Sequence, residues 1–264
     1  MEGALRRPIL VLVLLVFGAR SGGAWPADLV LAMLRDARRL VPQSLSRLLG
    51  ERESLILDDT QHFPPDLSQA VARDLADGVL QPATLLALQA EAGVSVDLLR
   101  HQRVTEGLVR LGATLRIPAD LSDPALTAGK EGYPAGVVAE YYAFIEANLD
   151  KIPVVLDEAE ALKLKDTDLP AYWQSLLSRS QSQSPVLRTE LFQRGRLVDH
   201  RTLDYRSPVF GVASLSYSRA VTGIAATWLA LWRKAHGDVT RMRAPREIDP
   251  HDSSASPLPH EASP

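Results

Sequence analysis

In the stretch "ILDDTQHFPP" the carboxylates Asp58 and Asp59 stand four and three positions before His62. Two carboxylates and an imidazole this close offer the donors of a divalent-metal site, although an ordinary polar loop has the same composition. In "LVRLGATLRIPADLSDPAL" Arg116 and Asp120 are four apart. On an unbroken helix they would share a face and could pair, but Pro118 between them removes a backbone donor and would kink or end that helix. A third group, Ser214, Ser216, Tyr217 and Arg219, sets hydroxyls and a base near an expected helix start. An anion would be held there, while capping and core packing account for the same residues.

Several chemistries are excluded. The chain has no cysteine, so thiolate zinc sites, disulfides and a cysteine nucleophile are absent. No GxSxG, HExxH, glycine-rich phosphate loop or EF-hand loop occurs. Of six histidines, His251 and His260 fall in a polar tail, and His62, His101, His200 and His236 are never three or four apart. No helix face therefore presents a histidine pair to zinc. His101 in "LLRHQR" reads as a helix-face residue among polar neighbours, and His236 as a group at a helix C-terminus.

The elements that must position these residues are helices. Leu29, Val30, Met33, Leu34, Ala37, Leu40 and Val41 recur at helical steps. A second stripe joins Leu99, Val104, Leu108, Leu111 and Leu115, and a third Val138, Tyr141, Tyr142, Ile145 and Leu149. The longest runs Tyr217, Val221, Ile224, Trp228, Leu231 and Trp232, with Ser214 or Ser216 as cap and Gly237 as stop. Shorter patterns fit 66–77, 82–92, 170–179 and 185–194, prolines punctuate the turns, and strand-like alternation is nearly absent. The spacing predicts an all-α fold in a single multi-helix domain over 25–242.

The two ends differ from this body. Residues 1–24 combine Arg6 and Arg7, an apolar run and a small-residue exit ending at Ala24, the layout of a signal peptide, with Trp25 opening the mature chain. No later run reaches the roughly 20 apolar residues of a membrane span. Residues 243–264 are Pro-, Ser- and acid-rich and are expected to be disordered. Without the leader the balance is 26 bases against 31 acids, about −5, which gives no global attraction to a polyanion. A periplasmic or secreted protein is expected.

Together "AWPADLVLAMLRDARRLVP" and "LVRLGATLRIPADLSDPAL" resemble the zinc-dependent phospholipase C and P1-type nuclease superfamily, an all-α family whose mature chain begins with tryptophan. The resemblance implies that the terminal amine and carbonyl of Trp25 would face metal, and that a central helix would carry a pattern of the form HxxxDxxQPLH. Asp120 matches the aspartate of that pattern and Pro124 its proline. The departures fall on the ligands: the histidines of the pattern lie on Arg116 and Leu126, its glutamine on Asp123, and the first-helix histidine near Leu29 or Val30. The later helix that would bring a histidine and a carboxylate a turn apart is matched by no histidine in "EYYAFIEANLDKIP".

Zinc-assisted phosphodiester hydrolysis needs several neutral imidazoles and carboxylates to hold the ions and lower the pKa of bound water. A guanidinium at position 116 puts a permanent cation where a cation would bind. The expectation is therefore an exported noncatalytic binding or envelope-associated protein with a vestigial site at Trp25, Arg116 and Asp120, no cofactor and an unknown partner. The alternative is a metal-dependent phosphoesterase acting on phospholipid or nucleic acid, holding zinc through Trp25, Asp58, Asp59, His62 and Asp120.

Overall fold

The computed structural model describes residues 25–60, 64–129, 132–155 and 159–240. The leader, the tail from 243 and His62 lie outside the described residues. Helices dominate: α1 Ala27–Arg39, α2 Gln43–Gly50, α3 Glu53–Asp59, α4 Pro65–Asp77, α5 Pro82–Arg100, α6 Val104–Ala113, α7 Arg116–Leu121, α8 Val137–Asn148, α9 Leu169–Gln181, α10 Ser184–Leu191 and α11 Pro208–Lys234. Among the described residues the strands are a two-residue pair, β1 Phe192–Gln193 and β2 Arg196–Leu197, joined antiparallel between α10 and α11. The expected all-α architecture is what these residues build.

Proline sets many of the starts. Pro65, Pro82 and Pro208 are the first residues of α4, α5 and α11, where a missing amide costs nothing because the first turn has no intrahelical acceptor for it. The second expected stripe turns out to span two helices. Its five-residue step from Leu99 to Val104 marks the break at His101, Gln102 and Arg103, so His101 caps α5. Gln102 adopts φ 62°, and the amides of Gln102 and Arg103 return to the carbonyls of Leu99 and Leu98, closing the helix as glycine ordinarily would.

The core is organised on α11. Its residues from Tyr217 to Leu231 are buried with the exception of Arg219, so this helix is apolar nearly all round and is covered by α1, α5, α6, α7, α8, α9 and α10. Small residues make the close packing possible: a Cβ on Gly223 would meet Pro118 Cβ at 2.8 Å and Leu176 Cδ1 at 3.1 Å, which fixes how tightly α7 and α9 lie on it. Some of its buried polar groups find partners across the core. Trp173 Nε1 donates to Thr227 Oγ1 at 3.2 Å, and Tyr217 Oη donates to Asp36 on α1 at 2.8 Å. No helix among the described residues is long and apolar enough to cross a membrane.

The start of α11 differs from the sequence expectation. Ser207 is the cap, its hydroxyl accepting from the Phe210 amide at 3.3 Å, while Ser214 and Ser216 lie two turns inside. "RSPVF" carries both a capping serine and an N1 proline, a stronger start signal than the serines further on.

Candidate functional site

The segment after α6 is built by a break. The hydroxyl of Thr114, the C-cap of α6, donates to the Leu111 carbonyl at 2.7 Å, and α7 begins afresh at Arg116. Pro118 then falls in the first turn of α7, where its missing amide is harmless. The proline therefore coincides with the start of a new helix, and the Arg116/Asp120 pair survives within it. Arg116 Nε lies 3.3 Å from Asp120 Oδ2, and Arg116 Nη1 donates to the Thr60 carbonyl at 3.0 Å, tying α7 to the end of α3.

Trp25 closes over the same turn. It is 4% exposed, and its Nε1 donates to the Ala119 carbonyl at 2.9 Å, across 94 residues of sequence. Its ring packs against Tyr141 and Tyr142 of α8, with centroids 6.4 and 5.8 Å away. Asp123, fully buried just beyond α7, accepts from Tyr142 Oη at 2.6 Å and from the Ala125 amide at 2.9 Å. Pro124 presents its carbonyl to Tyr133 Oη at 2.7 Å and to Ser184 Oγ at 3.2 Å. The result is a polar centre inside an apolar shell, drawn from the N-terminal segment, α7, α8 and α10.

Burial governs its charge. It pushes the Asp120 carboxyl up to about 6, against the pull of the Arg116 guanidinium. Asp123 rises further, to about 7, because burial and the neighbouring Asp120 outweigh its donors. Tyr142 is raised well above the usual phenol range by burial and by the two carboxylates, so it stays a donor. Both carboxyls are thus shifted toward their neutral forms, and each is already engaged by a donor of the chain.

The other sequence candidates are engaged as follows. Asp59 Oδ2 faces Arg110 Nη1 at 3.5 Å, and Arg110 also reaches Glu91. Asp58 precedes it on α3. Ser214, Ser216, Tyr217 and Arg219 lie inside α11 and not at its start, which favours the core-packing reading of these residues over an anion site; Ser216 donates to Gln183 Oε1 at 2.8 Å. Sequence reading passed over Tyr133 and placed Tyr142 only in an apolar helix stripe. It saw Asp123 only as a mismatched glutamine position, although its Asp-Pro step is an ordinary sign of the turn in which the side chain accepts from the amide two residues on. Compared with family models, curated proteins and solved structures, the chain matches none.

Proposed function

We propose that this is an exported helical protein related to the phospholipase C and P1-type nuclease superfamily, whose metal centre has been replaced by internal pairing, and that it acts as a noncatalytic binding or envelope-associated module. One observation carries the reading. Trp25 and the 116–126 segment, which the resemblance would put on either side of one metal centre, meet through the Trp25 Nε1 bond to Ala119.

The donor set at this centre does not fit a zinc cluster. Arg116 brings a permanent cation bonded to Asp120, and Asp123 is already bound by a phenol and an amide. Tyrosines 141 and 142, both protonated at neutral pH, stand on the helix beside Trp25, and imidazole is absent from that helix. Leu126 offers no ligand atom. Pairing of this kind conserves a fold while removing its chemistry.

The test is hydrolysis of bis(p-nitrophenyl) phosphate by the purified protein with and without added zinc, alongside Asp120→Ala. No zinc-stimulated turnover in either protein is expected. Zinc-dependent turnover that Asp120→Ala abolishes would place the phosphoesterase reading first.

A further inference from the structure

We infer that Glu140, Asp199 and His200 form a divalent-metal site of the zinc class, separate from the centre under Trp25. Among the described residues this is the one group of three metal-ligating side chains whose donor atoms all lie within 4.8 Å of one another. Glu140 belongs to the first turn of α8, and Asp199 and His200 open the short 3-10 turn His200–Thr202 between β2 and α11. Two elements 60 residues apart in sequence thus converge on one point.

The spacing suits a single ion. His200 Nδ1 is 2.7 Å from Glu140 Oε2 and 3.6 Å from Asp199 Oδ1. Donors about 2.0–2.2 Å from a tetrahedral zinc ion sit about 3.3–3.6 Å apart, so the first gap opens by roughly 0.6–0.9 Å and the second barely changes. Small side-chain rotations supply this, and the neutral imidazole carries its proton on Nε2 when Nδ1 takes the metal.

The ligands are held before any ion arrives. The His200 amide donates to Glu140 Oε2 at 2.8 Å, and Asp199 Oδ1 accepts from the Arg201 amide at 2.9 Å. The Glu140 and His200 side chains are 23% and 20% exposed while Asp199 is 55% exposed. One side of the site is therefore walled, and the other is open for entry and for a water in the fourth position. One imidazole with two carboxylates suits zinc and its first-row neighbours, whereas calcium would ask for six to eight oxygens. Occupancy would pin the start of α8, which carries Tyr141 and Tyr142, to the segment leading into α11.

Calorimetric titration of zinc chloride into the full chain, stripped with chelator, tests this against His200→Ala, Asp199→Asn and Asp120→Ala, each checked for folding by circular dichroism. Asp199→Asn keeps the side-chain shape and the bond to the Arg201 amide, so it separates lost ligation from lost folding. One saturable zinc per chain is expected. Its affinity should fall about tenfold or more in His200→Ala and in Asp199→Asn, and stay unchanged in Asp120→Ala. No saturable binding by the unmodified chain, or full affinity in both His200→Ala and Asp199→Asn, would overturn the site. Loss of binding in Asp120→Ala would move the zinc to the Trp25 centre and overturn it as well.

Discussion

Arg116 and Asp120 meet at 3.3 Å one turn apart on α7, with the guanidinium also holding the Thr60 carbonyl of α3. The pair is half-shielded, the arginine side chain 31% and the aspartate 16% exposed. Removing the cation leaves the more buried partner without its main donor, whereas removing the carboxylate leaves the arginine its carbonyl.

From this asymmetry, Arg116→Ala should cost about 1–3 kcal/mol and Asp120→Ala less, with a coupling of roughly 0.5–1 kcal/mol in the double-mutant cycle. Urea unfolding of the four proteins measures it. Strict additivity would mean that the two side chains do not support each other.

The acid pair sets a pH dependence of unusual sign. Folding raises Asp120 to about 6 and Asp123 to about 7, from 3.8. The folded chain therefore binds more protons than the unfolded one between about pH 4 and 7, and these two groups lose stabilisation as pH rises through that window. Glu53 and Glu140 are lowered, so their contribution is lost only as pH falls below about 4.5 and does not compete above pH 5. Melting should therefore occur at a higher temperature at pH 5 than at pH 8. The neutral isostere Asp123→Asn should flatten that difference by on the order of 1 kcal/mol or more. A variant as pH-dependent as the parent would show that Asp123 is ionised throughout.

Trp25 is bound to Ala119 by one hydrogen bond and to Tyr141 and Tyr142 by ring packing. Trp25→Phe keeps most of the apolar surface and should cost about 0.5–1.5 kcal/mol from the lost bond. Trp25→Ala also opens a cavity and should cost about 3–5 kcal/mol. Equal unfolding midpoints for the two variants would mean that the ring is not part of the core.

The approach of α7 and α9 to α11 depends on the absence of a side chain at position 223. Gly223→Ala drives a methyl against Pro118 and Leu176 and should destabilise by about 1–3 kcal/mol despite the better helix propensity of alanine. A higher urea midpoint for this variant would contradict the packing.

How far the sequence discloses this structure depends on the range of the signal. Apolar periodicity with proline at the first turn locates α4, α5 and α9 to within a few residues, apart from the α5 end, because those signals are local. The α5/α6 break is hidden because Gln102, not glycine, takes the left-handed turn. The start of α11 is misplaced because its interior serines resemble caps, yet Ser216 is there to bond Gln183 across the core. At the candidate site the Arg116/Asp120 spacing is legible from one turn of helix. The Tyr142 bond to Asp123 and the Glu140 bond to His200 are not, since each joins residues that only the tertiary fold brings together.

Zinc carried by tag-free protein, measured by elemental analysis on the unmodified chain, Asp120→Ala, His200→Ala and the double variant, asks directly whether the Trp25 centre is disabled. Any zinc present should depend on His200 alone, with Asp120→Ala retaining as much as the unmodified chain and His200→Ala retaining none. Zinc that persists in His200→Ala and disappears when Asp120→Ala is added would mean that the centre under Trp25 still holds metal.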